Sequence, residues 1–161
     1  ELNPTLGKYQ DESQCFPLAQ TWYTVYRNYE SDPIFGGPDS CLSDFETGTP
    51  VDGEYPLAFK FGNQTVETVL TLESSDGYTA KNVVKIQHVE ENDFVELYVA
   101  YLNCKECVVL RNTYVSDSAC SLLVPKSELG HHSRCCNFVF DLLCGAKPKY
   151  EIYDKNCNTK K

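Results

Sequence analysis

The groups whose types and spacing suggest chemistry in this 161-residue chain are its nine cysteines, its three histidines and a few carboxylates beside aromatic residues. Cys104-x-x-Cys107 has the spacing of a redox or zinc pair, but it lacks a second pair and a helix setting, so structural disulfides are the better reading. His131 and His132 stand in a turn between Gly130 and Ser133, where adjacent imidazoles do not easily share one ion. No resident metal and no cofactor is therefore expected. A Gly-x-Ser-x-Gly elbow, a phosphate loop and an EF-hand pattern are all missing, and the histidines form no triad, so the chain does not read as an enzyme. Among the carboxylates, Glu96 lies in an alternating stretch with two faces. Turned inward it would need a cationic or hydrogen-bonding partner, and turned outward it would simply be solvated. Alternation leaves both open.

The elements that must position these groups are mostly strands. Gln20–Tyr29, rich in aromatic and β-branched residues, reads as the first long strand, and Cys41–Thr47 as a second. Tyr55–Gly62 and Thr65–Glu73 alternate well and are joined at Gly62-Asn63 by a tight turn. Tyr78–Val89, Phe94–Asn103, Cys107–Val115 and Ala119–Val124 follow, each after a short turn. The spacing of Cys135, Phe138, Val139, Leu142 and Leu143 predicts one apolar face of a helix over 133–144, with Ser133 as N-cap and Gly145 just past its end. Adjacent Cys135 and Cys136 point in different directions from the helix start. Eight short strands in series suggest an antiparallel sandwich or a closed up-and-down barrel, and one C-terminal helix favours the barrel, which at that size can hold one small ligand. One domain is expected over 1–161: an irregular segment 1–19, barrel strands 20–124, the helix, and a tail 145–161.

The formal charge is −9, from 14 basic and 23 acidic residues. That argues against nucleic acid and anionic membranes as partners. Nine cysteines in a chain of this length indicate an oxidising compartment, and an odd count leaves at least one outside intramolecular pairs. Asn63-Gln64-Thr65 is an N-glycosylation sequon. There is no apolar run of about 18 residues, so no membrane insertion is expected. A chain that begins at Glu1 reads as a secreted mature form with its leader removed.

In its order of motifs the chain resembles the tick salivary lipocalins, the family of the histamine-binding proteins. Trp22-Tyr23-Thr24-Val25-Tyr26-Arg27 is similar to their first strand. Tyr29-Glu30-Ser31-Asp32-Pro33-Ile34-Phe35-Gly36, followed by Cys41, resembles their Tyr-x-x-Asp-Pro-x-(Trp/Phe)-Gly…Cys segment. The strand pair ending at Cys120-Ser121-Leu122-Leu123-Val124, the Cys135-Cys136 helix and the tail to Cys157 complete a likeness over roughly 20–157. The resemblance implies an eight-stranded lipocalin barrel with a C-terminal α-helix packed on its wall, reinforced by disulfides. It implies bridges Cys41–Cys157, Cys15–Cys135, and Cys107 (or Cys104) to Cys136. A Cys104–Cys120 link is expected in addition, which leaves Cys144 unpaired.

The resemblance also implies a role: sequestering a small host mediator and so dampening immune and inflammatory responses. Amine-binding members carry Cys-Asp-(Val/Ile/Leu) and Glu-Leu-(Trp/Tyr), where this chain has Cys107-Val108-Val109 and Ser121-Leu122-Leu123. A buried ammonium needs a carboxylate partner, and Val108 and Ser121 supply none. Tyr29, Asp32 and Phe35 retain part of the amine-binding segment. In the family register Phe94, Glu96, Tyr98, Val108, Leu110, Ser121 and Leu123 face inward, a mostly apolar pocket. The first expectation is therefore a hydrophobic or amphipathic ligand (sterol, eicosanoid or fatty acid) in a largely uncharged cavity. The second is a biogenic amine, histamine or serotonin, with Asp32 or Glu96 turned into the cavity. In a third, the barrel is a scaffold and its surface engages a host immune-cell or complement protein.

Overall fold

The computed structural model describes residues 1–158. Eight antiparallel strands run in sequence order around the barrel: β1 Trp22–Arg27, β2 Ser43–Glu46, β3 Glu54–Phe61, β4 Gln64–Glu73, β5 Val83–His88, β6 Phe94–Asn103, β7 Cys107–Arg111 and β8 Cys120–Pro125. Each pairs with the next, and β1 closes the ring by pairing with both β8 and β2. A short β9, Tyr150–Glu151, adds to the far half of β1 at Tyr26 and Arg27. The helix α1 spans Arg134–Cys144. All eight expected strands are present. The fifth starts later than expected, at Val83, because residues ahead of it fold back on Asn82, whose Oδ1 accepts from the Ser75 amide at 3.0 Å. The seventh stops at Arg111, because the chain turns at Asn112, whose carbonyl accepts from the Val115 amide at 2.9 Å.

The wall that carries the helix is buried on both faces. Along β7, Val108 packs inward and Val109 outward; along β8, Leu123 turns inward while Leu122 and Val124 lie under α1. Two β-bulges adjust this two-sided pattern. One sits between Thr24 and Tyr26, so that Val25 and Tyr26 both join the outer layer and Arg27 returns to the inside, fully buried. The other sits between Val99 and Tyr101 and puts both Ala100 and Tyr101 on the outside.

The bulge on β6 accompanies a correction. Val95, Leu97, Val99 and Leu102 pack inward, so Phe94, Glu96 and Tyr98 lie on the outer face, contrary to the expected register. Phe94 is exposed, with the Lys85 ammonium 4.0 Å from its ring centroid, and Glu96 pairs across from Lys85. The physical reason is the closed sheet: with the bulge turning Tyr101 out and Leu102 in, the inner face of this strand is wholly aliphatic and the outer one carries the charge.

The helix is capped as expected. Ser133 Oγ accepts from the Cys135 amide at 3.1 Å, and Gly145 takes φ 85°. Its buried face, however, is Cys136, Val139, Phe140 and Leu143, so the expected stripe is rotated by about one residue. Cys135, Phe138 and Leu142 are exposed, the last two at 65% and 71%. Phe140 is fully buried and meets the Tyr26 ring edge-on at 4.8 Å, while the Tyr26 hydroxyl donates to Asn137 at 2.7 Å.

Four disulfides tie these layers: Cys15–Cys104, Cys41–Cys157, Cys107–Cys136 and Cys120–Cys144. Cys41–Cys157 and Cys107–Cys136 are as the resemblance implied. Cys15–Cys135 and Cys104–Cys120 are not formed. Cys104 follows β6 and Cys120 begins β8, so β7 separates them by its full length, at opposite ends of the barrel. Cys120 instead meets the last residue of α1, and the unpaired cysteine is Cys135, on the solvent side of the helix start, rather than Cys144. The helix is thus clipped near each end to a different strand.

Truncating Phe140 to Ala is expected to cost about 3–5 kcal/mol of stability, because a fully buried aromatic leaves a cavity. Phe138→Ala is expected to stay within about 0.5 kcal/mol. Urea unfolding of both variants checks this, and the reverse order would contradict the helix register.

Candidate ligand-binding site

Inward-facing side chains from all eight strands surround a central cavity of about 70 Å³. Its waist is apolar, formed by Leu57, Leu70, Val84, Ile86, Leu97, Val108 and Leu123. Void of this size holds a few waters or part of a small ligand; a whole aromatic amine, and still more a sterol, would need the lining to move apart. The two ends are chemically distinct, and each is bordered by a segment outside the strands.

The first end is covered by residues 12–18, of which Glu12, Phe16 and Leu18 line the cavity, while residues 1–10 lie along the outer wall, where Glu1 pairs with Arg111. A 3-10 turn, Pro4–Tyr9, places Gly7 against Ala80, where an added Cβ would lie 3.2 Å from the alanine methyl. Gln10 is fully buried; its Nε2 donates to the carbonyls of Glu1 at 2.9 Å and Ala100 at 3.1 Å, and its Oε1 accepts from the Tyr78 hydroxyl at 2.8 Å. A second short turn, Glu12–Gln14, is capped by Asp11, and the Cys15–Cys104 bridge anchors it to the barrel rim. This seating puts the Glu12 carboxyl into the cavity, where Asp44 of β2 arrives from the wall. Glu12 is 7% exposed and Asp44 8%. Glu12 Oε2 has no hydrogen-bond partner among the described residues. Burial, then the charges of Asp44 and Asp11, pushes Glu12 up to about 8. Burial pushes Asp44 up to about 7. At neutral pH this end therefore holds at least one proton that a carboxyl in water would have lost.

The loop between β1 and β2 seals the other end, and it is wound around two buried charged residues. Arg27 donates from Nε to the Tyr29 carbonyl at 3.0 Å and from Nη2 to the carbonyls of Glu30 and Gly37, each at 2.8 Å. Asp32, 1% exposed, accepts at Oδ1 from the amides of Ile34 (2.9 Å) and Phe35 (2.8 Å). Its Oδ2 accepts from the hydroxyls of Tyr29 (3.1 Å) and Tyr114 (2.7 Å). Four bonds fill the lone-pair directions of a carboxylate. Both phenols are pushed up, by burial first and then by the nearby Asp32 charge and, at Tyr114, by Tyr29, so they keep their protons and donate. Phe35 then dips into the barrel against Phe59, ring centroids 4.5 Å apart, with Tyr114 edge-on at 5.9 Å. The glycine that follows is required twice over: Gly36 has φ +90°, and a Cβ there would lie 2.8 Å from the Phe61 ring. The Tyr-x-x-Asp-Pro-x-Phe-Gly segment is thus a plug whose parts hold one another.

Of the sequence-selected ligand residues, Tyr29, Asp32, Phe35, Val108, Leu110, Ser121 and Leu123 line this cavity. Phe94, Glu96 and Tyr98 do not. Sequence reasoning missed Glu12, Asp44, Trp22, Asn112 and Tyr114. Asp44 had a signal, a carboxylate inside a strand and on the same alternating face as Leu42, where such residues are depleted. Glu12 had none, since its type and neighbours match many solvated glutamates. Asn63 sits exposed at the tip of the β3–β4 hairpin, accessible for the modification its sequon allows. Among the described residues no cluster of three or more potential metal ligands occurs, and no helix is long and apolar enough to cross a membrane.

Comparisons with known proteins bear on this geometry. The family model described as tick histamine binding protein matches residues 1–159. The comparison with curated protein sequences yields no match. Among solved structures, AM182 in complex with serotonin is similar with a TM-score of 0.66 and 16% identity, over 91% of this chain and 90% of that one. Japanin from Rhipicephalus appendiculatus bound to cholesterol is similar with a TM-score of 0.62 and 12% identity, over 86% of this chain and 95% of that one. At these identities the likeness establishes a shared fold: the closed eight-stranded lipocalin barrel with one C-terminal helix.

Two outcomes test the site's physics without a ligand. Gly36→Ala is expected to destabilise by more than about 1 kcal/mol, since a side chain is both strained at that φ and blocked by Phe61; urea unfolding measures it. The raised carboxyls give a pH dependence of definite sign. In the folded protein Glu12 and Asp44 keep protons that the unfolded chain releases, so their contribution is present below the ordinary carboxylate range and is lost as pH rises toward about 8. Urea midpoints measured from pH 5 to pH 9 should fall in the unmodified protein and fall less in Glu12→Gln. Equal slopes in the two would refute the assignment.

Proposed function

The chain belongs to the tick histamine-binding protein family, and from that premise we propose that it is a secreted trap for one small organic amine with an apolar, aromatic body. The observation that carries this reading is the composition of the lining, acidic and without a basic residue. Three carboxyl-bearing residues, Glu12, Asp32 and Asp44, border the cavity, and no Lys, Arg or His is among the described residues that line it. A buried carboxylate is costly without a cationic or hydrogen-bonding partner. An ammonium ligand supplies that partner, and the aromatic faces of Trp22, Tyr29, Phe35, Phe59 and Tyr114 suit a ring and a cation alike. The solved complex of AM182 with serotonin is in keeping with this class of ligand. Removing such a mediator at a feeding site would dampen the host's inflammatory response.

The sequence favoured a lipid because Val108 and Ser121 remove the family's usual carboxylates. Glu12 and Asp44, at positions those motifs do not cover, bring carboxyl groups to the cavity border in their place. One observation still favours a lipid as the second reading: the waist of the cavity is apolar, and Japanin is described as bound to cholesterol. Isothermal titration calorimetry with serotonin, histamine and cholesterol separates the two, alongside native mass spectrometry of protein from a secreting eukaryotic host. The expected result is one amine per chain with Kd at or below about 1 μM, which corresponds to about −8 kcal/mol. A retained sterol or fatty acyl species, with no heat from either amine, would replace the amine reading with the lipid one.

A further inference from the structure

Asp32 is the carboxylate that the sequence pointed to for an amine, yet its geometry leaves it little to offer. Both oxygens are engaged twice, by two amides of its own loop and by two phenols, and the loop depends on those bonds. The opposite end of the cavity has the reverse character. There Glu12 is more than nine-tenths buried, borders the cavity, and carries an oxygen without a partner. Asp44 borders the same end, its residue paired to Trp22 at the start of β1 and to Phe59 on β3. We propose that Glu12 and Asp44 together form the cation-receiving subsite of this barrel, taking the ammonium group of a small organic amine. Asp32 is then a fixed strut of the far plug. This inference rests on the amine-trap reading and specifies which end of the cavity performs it.

Three features fit that chemistry. An ammonium group presents up to three N–H donors and needs several acceptors, which two carboxyls from different elements provide and one saturated carboxylate does not. The neighbours Phe16, Leu18 and Trp22 make the end dry and give the cation an indole face. The charged groups whose fields reach Glu12 are Asp44 on the wall and Asp11 on its own turn, both negative, so the protein supplies no counter-ion there. The pair lacks a further ligand for a metal ion, since no cluster of three potential ligands occurs among the described residues. A hard cation such as Ca²⁺ takes six or more oxygens.

Binding has a stoichiometric consequence. In the empty protein, burial keeps a proton on Glu12 at neutral pH. When the alkylammonium enters, the carboxyl O–H breaks, its proton leaves to solvent, and the carboxylate accepts hydrogen bonds from the ammonium. The ligand keeps all its own protons. Amine binding at pH 7 therefore releases protons, and affinity rises with pH until the carboxyls are fully ionised.

Serotonin is the probe. Calorimetric titration of the unmodified protein at pH 7, in buffers of different ionisation enthalpy, is expected to show release of about one proton per serotonin bound. Glu12→Gln and Asp44→Asn are each expected to weaken binding at least about 30-fold and to reduce the proton release. The thermal midpoint of Glu12→Gln before serotonin is added should not fall, because a neutral amide of the same shape replaces a strained acid, so lost binding would not be lost fold. Serotonin binding of unchanged affinity in the double variant would overturn the subsite while leaving the amine-trap reading in place. So would proton-neutral binding by the unmodified protein from pH 6 to pH 9, a result that needs no variant to fold. Serotonin and histamine both failing to bind the unmodified protein would withdraw both readings.

Discussion

The pairing of β1 on both its edges is the constraint from which the rest of this structure follows. Its residues bond to β8 along one edge, while along the other its first half meets β2 and its second half β9. A sheet closed in this way has an inside, and every strand must then sort its side chains between cavity and exterior. β1 does this with a bulge. Trp22 and Thr24 face the cavity, Val25 and Tyr26 pack toward the helix, and Arg27 turns back inside. Once Arg27 is buried, its guanidinium gathers three carbonyls of the following loop and so fixes the plug over one end.

Closure also explains the helix. The outer face of β7 and β8 is apolar, and it needs a cover as much as the inner face does. The helix supplies that cover through Phe140 and Cys136, and its two bridges hold it near both ends. A helix of eleven residues is too short to be stable alone. Its existence therefore depends on this docking and on the cross-links that fasten it.

The cavity carries groups that stability alone would not retain. Glu12 and Asp44 sit where burial opposes their ionisation, and an apolar pair of similar size would pack there at lower cost. Stability set aside in this manner is a common mark of a binding site. The opposite end shows how a protein treats a carboxylate it needs for structure. Asp32 is just as buried, but four donors surround it. Buried acids at the two ends thus differ in the hydrogen-bonding capacity left free.

Alternation, turn residues and capping residues were enough to place eight strands and one helix, because these are local properties of backbone and side-chain type. Asp-Pro after β1 marked the end of that strand, Phe-Gly a turn, and the closeness of Ser133 and Gly145 to the helix ends marked its caps. What local pattern could not fix was sign. Glu96 and Leu97 are neighbours, and the side of the wall each faces was settled by the closed sheet, by the bulge at Ala100 and by the aliphatic character of the inner layer. Cys135 and Cys136 are likewise adjacent, yet about 100° of helical rotation sends one to solvent and the other to β7. The meeting of Glu12 with Asp44 was the least legible feature. It joins a turn near the N-terminus to a wall strand, and it exists because Cys15–Cys104, Gln10 and Gly7 seat that turn over the barrel mouth. The sequence determined the elements and the closed fold they make; the tertiary structure alone decided which carboxylates face the cavity, because facing depends on packing between segments far apart in the chain.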